Sequence, residues 1–212
     1  MKNCQCEGID QLFSDKYARN ELKAYRKSGG SKSTKMLIEA IKDQNLEKAS
    51  LLDIGGGDGT IQLALLENGV SNSTVVDASE GYLAVAMEEA ERQGVREKVS
   101  YHHGDFVEIA ANIKPADLVT MDKVICCYDD MANLVGNSVA LAKHHYGIVF
   151  PIDNAFSQIH DFFYNIWMRI TRNPFRAYLH PTPAIEALIF KYGFQRSSYQ
   201  RQGLWQIILY SK

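Results

Sequence analysis

The stretch Leu51-Leu52-Asp53-Ile54-Gly55-Gly56-Gly57-Asp58-Gly59-Thr60-Ile61 decides how this chain is read. An apolar run ends in an acid, turns through glycines and re-enters an apolar pattern. That order predicts a buried strand, a tight loop and the first turn of a helix. Doubly wound sheets use such a junction to present backbone N–H groups to a nucleotide-like ligand. Glycines suit it because a side chain there would hold the ligand away from the backbone.

Two further acids follow at useful distances. Val75-Val76-Asp77 predicts a second strand ending in an acid, and Asp77 lies 22 residues beyond Gly55. A ribose-binding acid is expected at a spacing of roughly 20. Its carboxylate accepts hydrogen bonds from both ribose hydroxyls. Val99-Ser100-Tyr101-His102-His103-Gly104-Asp105-Phe106 predicts a third strand running into Gly-Asp-Phe. There an acid can accept a hydrogen bond from an adenine amino group. A nicotinamide-binding domain competes for the glycine loop. It prefers glycine at the third helix-packing position of its fingerprint, and it leaves Asp105 without a role. This chain has Thr60 at that position.

The pattern continues on both sides. Helices are expected at about 9–27 and 34–42, separated by Ser28-Gly29-Gly30-Ser31. After the glycine loop come a helix at 59–68, a strand at 73–77, a helix at 82–92 and a strand at 98–102. A short helix at 106–112, a strand at 117–121, a helix at 129–143 and a strand at 146–150 complete the repeat. Such alternation predicts an α/β, doubly wound, Rossmann-like sheet with helices on both faces. A helix at 155–170 carries Phe156, Phe162, Phe163, Tyr164 and Trp167. A helix at 182–192 and strands at 195–200 and 204–210 end the chain as an antiparallel hairpin. His102-His103 and His144-His145 are expected in loops flanking strands. The whole of 1–212 reads as a single domain: an N-terminal helical lid (1–45), a cofactor-binding core (46–152) and a substrate cover with terminal hairpin (153–212).

Composition sets the outer limits. With 212 residues, 46% of them hydrophobic, one sizeable core is available. A net charge of −2 gives no general attraction to phosphate backbones, so a nucleic-acid partner is not expected. No apolar run approaches the roughly 18 residues that span a bilayer. The opening Met1-Lys2-Asn3-Cys4-Gln5-Cys6 lacks the apolar core of a signal peptide, so a cytoplasmic protein is the expectation. Four cysteines fall as Cys4/Cys6 and Cys126/Cys127. That is not a zinc spacing, and no metal site is expected; reduced thiols are the plain reading.

Asp53, the Gly55/Gly57/Gly59 spacing, Asp77 and Asp105 together resemble the class I S-adenosylmethionine-dependent methyltransferases. The resemblance implies a mostly parallel seven-stranded sheet with a C-terminal antiparallel hairpin. It implies S-adenosylmethionine as cofactor and S-adenosylhomocysteine as product. It places Asp53 and the loop glycines Gly55, Gly56 and Gly57 at the methionine part, Asp77 at the ribose and Asp105 beside the adenine, with Ala78, Phe106 and Met121 as further cofactor-binding candidates.

A narrower likeness is carried by Phe175-Arg176-Ala177-Tyr178-Leu179-His180 after Pro174, and by Phe13 standing 12 residues before Tyr25. Both resemble segments of the magnesium-protoporphyrin IX O-methyltransferases. Those enzymes end the segment after their fourth strand in His-Tyr, where this chain has Cys127-Tyr128. They also have glycine where Arg26 follows Tyr25. By this resemblance Tyr25, Tyr128 and His180 are the acceptor-side, catalytic candidates; His160 is a weaker candidate for a base, from its chemistry alone.

A sulfonium already carries an activated carbon, so the protein mainly aligns the reacting atoms. A carboxylate acceptor needs positioning, whereas a phenol or alcohol needs a base within reach. The chain lacks the Asn-Pro-Pro-Tyr type of motif used on amino groups and the Pro-Cys nucleophile used on cytosine. The expected function is O-methylation of a small aromatic or carboxylated metabolite. Two alternatives stand beside it: a cofactor-binding protein without transferase activity, and a thiol-dependent, arsenite-type methyltransferase built on Cys126 and Cys127.

Overall fold

The computed structural model describes residues 4–212, with side chains from residue 8 onward. Three helices lead the chain: α1 (Cys4–Leu12), α2 (Asp15–Ser28) and α3 (Lys32–Lys42). The repeat follows as β1 (Ser50–Ile54), α4 (Thr60–Leu66), β2 (Asn72–Asp77), α5 (Glu80–Arg92), β3 (Val99–His103), α6 (Phe106–Ile109), β4 (Ala116–Asp122), α7 (Met131–Ala140) and β5 (Ala142–Pro151). The chain ends with α8 (Ala155–Ile170), α9 (Thr182–Lys191), β6 (Gln195–Gln202) and β7 (Trp205–Ser211).

The seven strands form one sheet in the order β3-β2-β1-β4-β5-β7-β6. β1 to β5 pair in parallel, and β7 runs antiparallel to both β5 and β6. Alternate side chains feed two cores. Leu52 and Ile54 pack with α7 and α9 through Leu134, Val135, Ile185 and Ile189. Leu51 packs on the other face with Leu37 and Ile41 of α3 and Ile61 and Leu65 of α4. Burial on both faces is what a central parallel strand requires, and it explains the continuous apolar run of β1.

Most boundaries shift by a residue or two, and the departures that matter lie in two places. The helix expected at 9–27 is two helices, with the chain turning at Phe13-Ser14. The turn lets the Ser79 hydroxyl donate to the Phe13 carbonyl at 2.8 Å. The helix expected at 129–143 ends at Ala140, and β5 begins four residues before the expected strand. Pairing of Ala142 with Ala116 and of His145 with Ser211 recruits these polar residues into the sheet. His102, His103, His144 and His145 therefore all lie in strands rather than loops.

Candidate active site

β1, β2 and β4 end in Ile54, Asp77 and Asp122, so the acids gather at one edge of the sheet. That carboxyl edge, at the reversal of strand order between β1 and β4, is where doubly wound sheets bind ligands. Here a cavity of about 750 Å³ opens, within the roughly 300–1,000 Å³ typical of small-molecule clefts. The glycine loop forms its floor, and α2, α8 and the segment around Phe175 enclose it.

The loop conformation depends on glycine at Gly55, Gly57 and Gly59, all of positive φ. Gly55 and Gly57 adopt φ of +66° and +55°, the left-handed region that costs side-chain-bearing residues energy. At Gly55 a Cβ would meet Val124 Cγ2 at 2.4 Å. At Gly57 a Cβ would meet only the Tyr82 ring, at 3.9 Å. The first glycine is required by packing, whereas the second faces open cavity.

Asp77 locks this loop. Its Oδ2 accepts the Gly57 N–H at 3.0 Å and its Oδ1 accepts the Ser79 N–H at 2.8 Å. Burial raises its pKa, and these two amides pull it back. Asp53 sits deeper. Register places it beside Thr120 of β4, whose hydroxyl donates to Asp53 Oδ1 at 2.7 Å. Asp53 Oδ2 is buried without a hydrogen-bond partner. Burial above all, then the nearby Asp122, Asp77 and Asp58 carboxylates, push Asp53 up to about 7. A buried acceptor without a donor costs roughly 1–3 kcal/mol, so this oxygen is suited to a cationic or N–H-bearing ligand group.

Asp105 caps α6 by accepting the Val107 N–H at 2.9 Å. The Tyr128 hydroxyl donates to the same carboxylate, 2.9 Å from Oδ2. The structure thus brings two expected residues together, Tyr128 standing beside Asp105. Ala78 and Phe106 line the cavity nearby. Met121 does not line it: the side chain is buried in the core that holds Ile54 and Phe150. His180 also lies outside the lining. Its Nε2 is 2.8 Å from the Tyr128 carbonyl oxygen, where it braces the Tyr128 backbone. Tyr25 lines the cavity, and its hydroxyl accepts from Gln93 Nε2 at 3.3 Å. Burial raises its pKa, which favours the neutral phenol.

Thr34, Asp122, Lys123, Asp161 and Tyr164 also line the cavity and were not singled out as site residues by the sequence, whereas His160 and the two cysteines were weaker candidates there. The Thr34 hydroxyl donates to Asp122 Oδ2. Lys123 Nζ reaches Ser31 Oγ at 2.9 Å and Asp122 Oδ1 at 3.2 Å. This cluster ties the start of α3 to the end of β4. Asp122 did carry a signal, since it ends its strand as Asp77 does. From α8 come His160, Asp161 and Tyr164, with His160 Nδ1 3.0 Å from Asp161 Oδ1. The Cys126 and Cys127 sulfurs lie 3.9 Å apart in the same wall. The neighbouring thiol and burial raise the Cys126 pKa well above its usual value, so it stays protonated. Among the described residues no three metal-ligating side chains converge. The side chains of Cys4 and Cys6 lie outside the described residues.

A family model described as a methyltransferase domain matches residues 51–145, the glycine loop and all three acids included. Together with the sheet order, this match makes the chain similar to the class I S-adenosylmethionine-dependent methyltransferases. Ribosomal protein L11 methyltransferase of Helicobacter pylori is 28% identical over 123 residues, 54% of this chain and 35% of that protein. EEF1A lysine methyltransferase 2 of Danio rerio is 29% identical over 124 residues, 55% of this chain and 52% of the relative. The chain thus spans about a third to a half of the length of these curated relatives. Among solved structures, magnesium protoporphyrin IX methyltransferase of Synechocystis PCC 6803 with bound S-adenosylhomocysteine superposes with a TM-score of 0.71. Identity is 16%, covering 87% of this chain and 84% of that one, a likeness of fold.

The cofactor of this methyltransferase domain is S-adenosylmethionine, and the cavity fits it on two observations. Asp53 Oδ2 offers a buried acceptor awaiting a donor, and Gly57 leaves the loop's surface open to the cavity. No helix among the described residues is long and apolar enough to cross a membrane.

Proposed function

We propose that this protein O-methylates a small aromatic or carboxylated acceptor in the cytoplasm. One observation carries the choice of a small acceptor. Beyond the glycine loop the cavity continues into a wall of Tyr17, Tyr164 and Phe175 beside His160 and Asp161. Aromatic walls with a few polar groups suit a flat ligand. Residues 1–45 act as lid, 46–152 as cofactor core and 153–212 as acceptor cover in this reading.

When bound, the cofactor supplies an electrophilic methyl carbon on a sulfonium. Asp53 and the Gly55–Gly57 loop hold its amino-acid end, and Asp77 its ribose. Ala78, Asp105 and Phe106 hold the adenine, with Tyr128 fixing the Asp105 carboxylate. Met121 supports that end from the core. On the acceptor side, Tyr25 presents a neutral hydroxyl. His180 positions Tyr128 through its carbonyl. For a hydroxyl acceptor, His160 takes the proton, its tautomer set by Asp161; a carboxylate acceptor needs no base.

Calorimetric titration tests the cofactor part: micromolar binding of S-adenosylmethionine and S-adenosylhomocysteine, and none of NAD, is expected. Methyl transfer from labelled cofactor is then screened on carboxylated porphyrins, phenols and small acids against protein and RNA. Label incorporated only into protein or RNA would refute the acceptor class.

A further inference from the structure

We propose that the protein is a homodimer joined through the outer face of α8. Phe156, Ile159, Phe162, Phe163, Ile166, Trp167 and Ile170 all point outward from this helix, each between 37% and 69% exposed. Its inner face carries Ser157, Asp161, Tyr164, Asn165 and Met168 against the body of the protein. Asn165 fixes that orientation, donating to the Ala177 carbonyl and accepting the Ala177 N–H, both at 2.8 Å. The apolar face is therefore left out of the core by construction.

Spacing points to a helix as the occupant. Phe156, Ile159, Phe163, Ile166 and Ile170 follow one another at intervals of three, four, three and four residues. That is the alternation that seats one helix against another as knobs into holes, with Phe162 and Trp167 flanking the seam. Area points the same way. Side chains of this size at these exposures present roughly 800 Å², above the usual patch of a monomer and equal to one side of a standard interface.

Charge selects a second copy over a lipid surface. Within α8 the charged residues are Asp161 and Arg169, which cancel, whereas helices that lie on membranes carry a basic polar face. Exposed Asp153 precedes the helix, and exposed Arg169 and Arg172 stand at its far end. An antiparallel, two-fold pairing of two α8 helices brings Asp153 of each copy towards the arginines of the other. The pairing grips the outer face of the same helix whose inner face lines the cavity.

Sedimentation velocity on the full chain, from micromolar to about 100 µM, reads the result directly. Twice the chain mass is expected. Phe163→Glu should raise the dimer dissociation constant at least about 30-fold, the size of an interface hot spot. Its far-UV circular dichroism and S-adenosylhomocysteine affinity should match the parent, showing that only association was lost. Asp153→Arg and Arg169→Glu should each weaken the dimer, and the double variant should restore it. A monomer across the whole range overturns the proposal, as does a Phe163→Glu variant that stays dimeric. A monomer that binds anionic phospholipid vesicles would overturn it in favour of a lipid surface.

Discussion

Replacing Asp53 with asparagine should reshape the pH dependence of stability. Burial lifts this carboxyl from an ordinary 3.8 to about 7, the Thr120 hydroxyl offsetting part of the rise. A raised folded-state pKa means the folded protein binds the proton more tightly than the unfolded chain does. The contribution to stability is therefore fully present below about pH 4, declines between pH 4 and 7, and is lost above that. A displacement of about three pH units corresponds to roughly 4 kcal/mol at full expression. Typical domains are stable by only about 5–15 kcal/mol, so the effect is large enough to measure. Asparagine keeps an oxygen for the Thr120 hydroxyl, and its amide replaces the oxygen that has no donor. An unsatisfied amide costs about 1–3 kcal/mol, but that cost is independent of pH. Urea unfolding of both proteins between pH 4.5 and 8.5 separates the two effects, since other titrating groups cancel in the difference. The variant should gain on the parent by several kcal/mol as pH rises. Two parallel curves would refute the reasoning and mean that Asp53 titrates normally. The same variant should bind S-adenosylhomocysteine about 10- to 100-fold more weakly, from loss of one charge-assisted contact.

Three further outcomes are expected. Asp77→Ala removes the acceptor for the Gly57 and Ser79 amides, and should lower both unfolding free energy and cofactor affinity by about 1–3 kcal/mol each; unchanged calorimetric affinity would sink its role at the ribose. Gly57→Val points its side chain into the cavity, and should abolish cofactor binding while backbone strain costs about 1–3 kcal/mol of stability; a folded variant that still binds would separate loop from cofactor. Glu89 is buried between Arg26 and Arg92, which hold it down to about 2, so its contribution is present above about pH 4.5 and lost as pH falls towards 2. At neutral pH, Glu89→Gln should loosen α2 from α5, and trypsin cleavage within α2 should speed up several-fold; unchanged cleavage would mean that α2 is held by packing alone.

The linear sequence determined the repeat, the glycine loop and the three acids, because these are local signals. A strand end, a positive φ and a fixed distance along the chain need no partner to be read. The terminal hairpin was legible for the same reason. Other features depended on which strand lies beside which. Register puts Thr120 against Asp53, which turns Met121 to the opposite face and into the core, because neighbouring residues in a strand alternate sides. The same register brings Asp122 to the cavity, where Thr34 and Lys123 meet it from parts of the chain the spacing could not connect. β5 reaches back to Ala142 because sheet pairing outweighs the weak strand character of Lys143-His144-His145. His180 ends the family-like run that starts at Phe175, yet tertiary packing turns its ring onto the Tyr128 carbonyl instead of the cavity. The aromatics of α8 show the division most plainly. Their spacing announces an apolar stripe, but a stripe reads alike whether it faces a core or solvent. Only the packed structure, with Asn165 bound to Ala177 on the other side, turns that stripe outward.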